Sequence, residues 1–177
     1  MIARMKKLWT AAAAAVCLMT FLHAQPRAQK DSDEAKRVKD ATTIFDEIMA
    51  AYRAEIDAGR DPRETIAGLV RIAFNSLEPH RAAITVMQND WNYLQGMDRF
   101  AYLTKSEDEV EKMWVTAIKE GQTTGMFRED IDPKLTYRMI RDTIWVAVRW
   151  FRPGGRLNAK GLSDHYLKVM FDGIVVH

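Results

Sequence analysis

Very little in this chain could staple it together from within. Its one cysteine, Cys17, excludes an internal disulfide, and it stands in an apolar run away from other metal-binding residue types. The four histidines, at 23, 80, 165 and 177, have no metal-ligand spacing. An excess of one charge is also missing. Twenty-six Lys and Arg face 24 Asp and Glu, so the formal +2 makes no electrostatic case for nucleic acid. No apolar run reaches the roughly twenty residues that a membrane-spanning helix needs. There is no Gly-x-Ser-x-Gly, no His-Glu-x-x-His and no phosphate-cradling glycine loop. Glu78 near His80, and Asp164 beside His165, stand too close in sequence to face each other on a helix. The chain is therefore expected not to be an enzyme, and to carry neither metal nor cofactor. Alternating strand patterns are absent too, since Val175-Val176 is too short to count.

Helix signals are abundant, and 177 residues are enough for one domain with a real core. Ile44, Ile48, Ala51, Tyr52 and Ile56 recur with a period near 3.6, and Gly59 sits where that helix would end. Asp61-Pro62-Arg63-Glu64 combines a capping aspartate with a proline suited to the first turn. Ile66, Leu69, Val70, Ala73, Phe74 and Leu77 follow as a buried face. Pro79 restarts a helix carrying Ile84, Met87, Trp91 and Leu94, and Gly96 weakens it. A long helix is expected from about Phe100 to Thr124, with Val110, Met113, Trp114, Ala117 and Ile118 inward and Gly125 as the stop. Its Glu107, Asp108, Glu109, Glu111 and Lys112 read as a solvated face. Asp132-Pro133 opens the next helix, Pro153-Gly154-Gly155 closes it, and Asn158 can cap the last one. In that last helix Leu162, Tyr166, Val169, Met170 and Ile174 share one side. The expected fold is all-α, with about six helices after the N-terminal segment.

Residues 1–40 differ from the rest. Arg4, Lys6 and Lys7 precede an apolar stretch from Leu8 to Leu22, with Leu-His-Ala before Gln25. That order is similar to a secretory signal, although Leu22 is large for a cleavage site. An alanine-rich helix is the competing reading. Gln25 to Asp40 is polar and charged, a linker or an exposed helix start. If Met1–Ala24 works as a signal, the chain is an exported helical protein; otherwise it is cytoplasmic.

The run from Met139 to Gly155 mixes aliphatics with three arginines and two tryptophans. Arg141, Trp145, Arg149 and Arg152 follow at four-, four- and three-residue steps and share a helical stripe, while Ile140, Ile144, Val148 and Phe151 form an apolar neighbour. Such a helix can wall a pocket for a ligand with a greasy part and an anionic part. It can equally be an amphipathic helix with solvated arginines. Trp114, Met87 and Trp91 could line the apolar end or simply fill core.

Gly125-Met-Phe-Arg-Glu-Asp-Ile-Asp-Pro133, followed by Tyr137-Arg-Met-Ile-Arg-Asp-Thr-Ile-Trp-Val-Ala-Val-Arg-Trp-Phe-Arg-Pro-Gly-Gly155, resembles the C-terminal domain of TetR/AcrR-family transcriptional regulators. The second run looks like the subgroup that represses cholesterol-catabolism genes and responds to a CoA thioester of a sterol fragment. Glu78-Pro-His-Arg-Ala-Ala-Ile84, Phe100-Ala-Tyr102 and Lys112-Met-Trp-Val115 extend the likeness over residues 44 to 175. The resemblance implies a TetR-like helical sensor domain over residues 41–177. It implies a homodimer through helices Pro133–Arg152 and Ala159–Ile174, and an acyl-CoA effector touching Arg141, Trp145 and, one turn on, Arg149. The family's helix-turn-helix is not visible in residues 1–40. DNA binding is therefore expected only if a fuller gene product or a partner supplies that unit.

Overall fold

The computed structural model describes residues 43, 45–94 and 98–174, which fall within one compact unit, Asp40–His177. The expectations placed on residues 1–40 (leader, linker, no helix-turn-helix) lie outside the described residues, as does Gly96. Among the described residues there are six α-helices and no strand. They are α1 (45–57), α2 (Pro62–Ser76), α3 (Arg81–Leu94), α4 (Ala101–Thr123), α5 (Pro133–Val146) and α6 (Ala159–Ile174). None is long and apolar enough to cross a membrane.

Each start is written locally. Asp61 Oδ1 accepts the Glu64 backbone N–H at 2.8 Å, Asp132 Oδ1 accepts that of Leu135 at 2.6 Å, and Asn158 Oδ1 accepts that of Gly161 at 2.8 Å. Each removes an orphan donor of a first helical turn. Pro62 and Pro133 occupy first-turn positions where no backbone N–H is missed. Gly59 and Gly125 follow the ends of α1 and α4 with φ of +62° and +74°, which a side chain would strain.

Helix α2 is the axis of the unit. It packs against α4, α5 and α6, and Ile66, Leu69, Val70, Ala73 and Phe74 are all buried, as their spacing demands. At roughly 1.5–3 kcal/mol for each large aliphatic or aromatic side chain removed from water, this stripe stabilises the unit more than any surface pair.

Two helices depart from their expected form. Helix α5 stops at Val146, and Ala147–Arg149 is a single 3-10 turn, so no α-helix runs from Pro133 to Arg152. A proline disfavours helical backbone at the residue before it, Arg152. Arg81 Nη1 also reaches across from α3 to donate to the Phe151 carbonyl at 2.7 Å, capturing a carbonyl left over beyond the helix end. The tighter turn breaks the four-residue stripe and leaves Arg152 exposed. The apolar neighbour Ile140, Ile144, Val148 and Phe151 is nevertheless buried throughout. In α6 the buried face is Leu162, Ser163, Leu167 and Phe171, whereas Val169 is 62% exposed. The acidic face of α4 is paired rather than merely solvated. Glu109 meets Arg53 at 2.7 Å, Glu111 meets Lys134 at 2.6 Å, and Glu107 meets Arg141 at 2.6 Å.

The turn after α4 depends on one missing side chain. Gly121 lies under the Phe127 ring, which is itself buried and stacked on Phe171 at 6.4 Å between centroids. A Cβ at Gly121 would run into that ring. Gly121→Ala should cost about 1–3 kcal/mol through overpacking. Thermal unfolding checks this: a Tm lower by several degrees is expected, and an unchanged Tm would mean the ring moves freely.

Candidate ligand-binding cavity

A cavity of about 370 Å³ opens among helices α1 to α5. Its walls come from separate helices. Helix α1 supplies Phe45, Ile48 and Tyr52; α2 supplies Ala73; α3 supplies Met87, Gln88 and Trp91; α4 supplies Glu107, Val110 and Trp114. Helix α5 and its 3-10 extension add Tyr137, Arg141, Asp142, Ile144, Trp145, Val146 and Arg149. Met87 and Trp114 are buried while also facing the space, so they are core and lining at once.

The lining is graded. Tyr52 meets Trp114 edge-on at 5.9 Å, and Trp114 meets Tyr137 at 6.0 Å, so the aromatic rings form a continuous row. Burial pushes the Tyr52 and Tyr137 hydroxyls well above their ordinary pKa. Both are therefore neutral at physiological pH, and this wall carries no phenolate. The row leads to Arg141, whose guanidinium lies over the Tyr137 ring at 5.7 Å, one helical turn away. Arg141 Nη1 donates to Glu107 Oε1 at 2.6 Å, and Arg141 Nε donates to Asp142 Oδ1 at 2.9 Å. The Arg141 and Glu107 side chains are 29% and 30% exposed, which places the pair at the boundary between chamber and solvent.

Arg141, Trp145 and Arg149, singled out in the sequence, thus all border one cavity with Trp114, Met87 and Trp91. Arg152 does not border it. Sequence reasoning missed Phe45, Ile48, Tyr52, Tyr137 and Glu107. Ile48 and Tyr52 had a signal in the periodicity of α1, and Glu107 had only its charge. A second, more polar cleft of about 510 Å³ lies between α2 and α6, where Arg63 stacks on Phe171 at 4.5 Å; it takes in none of the expected residues. Glu78 and His80 form no pair, because His80 Nε2 faces Glu47 at 2.9 Å. Asp164 pairs with Lys160 at 2.6 Å. Among the described residues no group of His, Cys, Asp and Glu could hold a metal ion.

An all-helical body with an apolar chamber and a few polar groups at its edge has the features of a small-molecule site. Residues 59–174 match the family described as tetracyclin repressor-like, C-terminal domain, and the chain belongs to it. Among curated proteins, it is 39% identical over 131 residues to the HTH-type transcriptional repressor KstR2 of Mycobacterium tuberculosis, covering 74% of this chain and 66% of that protein. It is 33% identical over 144 residues to the repressor of the same name from Rhodococcus jostii, covering 81% of this chain and 71% of that one. The chain thus spans about two thirds of the length of these relatives, which are transcriptional repressors. The solved structure of the ketosteroid transcriptional regulator KstR2 of Mycobacterium tuberculosis superposes with a TM-score of 0.73 at 37% identity, covering 76% of this chain and 68% of that one.

The pair at the rim has a pH signature. Burial raises the Glu107 pKa; Arg141 opposes this, while Asp108, Glu111 and Asp142 add to it. A carboxyl whose folded pKa lies above its unfolded value is favourable below the unfolded value and loses that advantage as pH rises through the folded one. Charged Glu107 therefore costs the fold stability at neutral pH. Glu107→Gln should fare better relative to the native chain at pH 7 than at pH 4. Thermal melts of both proteins at the two pH values measure this, and the opposite ordering would mean that the ion pair outweighs burial.

Proposed function

We propose that residues 41–177 are the ligand-sensing and dimerisation domain of a TetR-family transcriptional repressor whose effector is an acyl-CoA thioester, sterol-derived or of similar apolar bulk. The observation that carries this reading is the graded chamber. Its lining combines Met87, Trp91 and Trp114, which suit an acyl group, with Arg141, Trp145 and Arg149, which suit the anionic remainder of the ligand. A guanidinium offers paired hydrogen bonds to phosphate oxygens, and an indole offers a flat face to a ring. The match to ketosteroid regulators supports the sterol-derived choice. On this reading ligand binding releases operator DNA, and the DNA-binding unit is a helix-turn-helix supplied by a fuller gene product or a partner. The working compartment is the cytoplasm, where both DNA and CoA thioesters are found.

Dimerisation is proposed through α5 and α6, with the α5 contribution ending at Val146 and its 3-10 turn. Leu135 and Met139 leave an exposed apolar stripe along α5, and Trp150 and Val169 are more than half exposed nearby in sequence or on α6. A two-fold axis would pack such stripes against their own copies as a four-helix interface.

Two experiments test these parts separately. Calorimetric titration with CoA thioesters should give binding to the native chain and a loss of about tenfold or more, some 1.4 kcal/mol, in an Arg141→Met, Trp145→Leu double variant. Undiminished binding by that variant would remove the site. Light scattering after size-exclusion should show a dimer that becomes a monomer in Met139→Glu, Val169→Glu. A persisting dimer would place the interface elsewhere.

A further inference from the structure

The cation at the rim is already occupied. Glu107 reaches from α4 to hold Arg141 on α5 at 2.6 Å, so a ligand anion that pairs with the Nη1 edge of that guanidinium meets a carboxylate already there. Asp142 takes Nε on the same side chain, so each paired edge of the guanidinium, Nη1 with Nη2 and Nε with Nη2, already has a carboxylate on one of its nitrogens. Below this contact the two helices are tied independently. Glu111, one turn along α4, holds Lys134 at 2.6 Å and stands 3.9 Å from Arg138. Breaking the Glu107 contact would therefore not part α4 from α5.

We infer that Glu107 is a specificity-determining residue that occupies the Arg141 anion site and must be displaced by the ligand. This rests on the proposed reading that the cavity takes an anionic, acyl-bearing effector. Glu107 is a tethered competitor, at high effective concentration beside Arg141. A free fatty acid brings a single carboxylate, the same group that Glu107 already supplies, and gains nothing by the exchange. A phosphate-bearing thioester brings more charge and more acceptor oxygens, and it displaces a carboxylate that burial has already made costly to keep ionised. The residue thereby makes the chamber select a CoA thioester over the acid from which it is formed.

The experiment is calorimetric titration of octanoyl-coenzyme A and of octanoate into the full chain as native protein, Glu107→Gln, Glu107→Ala and Arg141→Met. The native chain should bind the thioester and not the acid. Both Glu107 variants should bind the thioester about tenfold more tightly, and both should acquire affinity for octanoate that Arg141→Met lacks. If the native chain binds the thioester and the Glu107 variants bind it equally or more weakly, with no gain for octanoate, the inference is overturned while the proposed effector class stands. If no form binds the thioester but the Glu107 variants take up octanoate, the competitor role stands and the effector class falls. If no form binds either compound, both are overturned.

Discussion

The arrangement turns on one guanidinium held at the edge of an apolar chamber. Arg141 cannot sink further, because the aromatic row of Tyr52, Trp114 and Tyr137 offers it no counter-charge. It is not simply released to solvent, because Glu107, Asp142 and the Tyr137 ring fix it from different sides. The cost of burying a cation is met by charge-assisted hydrogen bonds, and what remains is a cation aimed at a cavity mouth. The apolar depth behind it and the exposed rim before it give the chamber its polarity.

Helix α5 serves three surfaces at once. Tyr137, Ile140 and Ile144 are buried against the unit, Arg141 and Trp145 border the chamber, and Leu135 and Met139 face outward. A helix of 3.6 residues per turn can do this only while its phase is held. The change to a 3-10 turn at Ala147–Arg149 leaves Arg149 on the cavity border, and just beyond it the Phe151 carbonyl accepts from Arg81.

Features written in neighbouring residues were legible in the sequence. The caps at Asp61, Asp132 and Asn158, the turn glycines and the buried face of α2 all follow from contacts within a few positions. Features set by distant partners were not. The end of α5 depends on Arg81, seventy residues from Phe151, and the role of Glu107 depends on a cation 34 residues on. Helix α6 failed for a different reason. It carries apolar residues on more than one side, and periodicity alone does not say that Leu167 and Phe171 go in while Val169 stays out. The border position of Arg141, Trp145 and Arg149 was legible as a stripe, but the walls supplied by α1 needed the tertiary fold.

A crystal structure of the chain with octanoyl-coenzyme A bound bears on all of this most directly. The account predicts the acyl chain between Met87, Trp91 and Trp114, an anionic group of the ligand on Arg141, and the Glu107 carboxylate turned away. An unoccupied chamber with the ligand seated elsewhere, for instance in the arginine-lined cleft between α2 and α6, would contradict it.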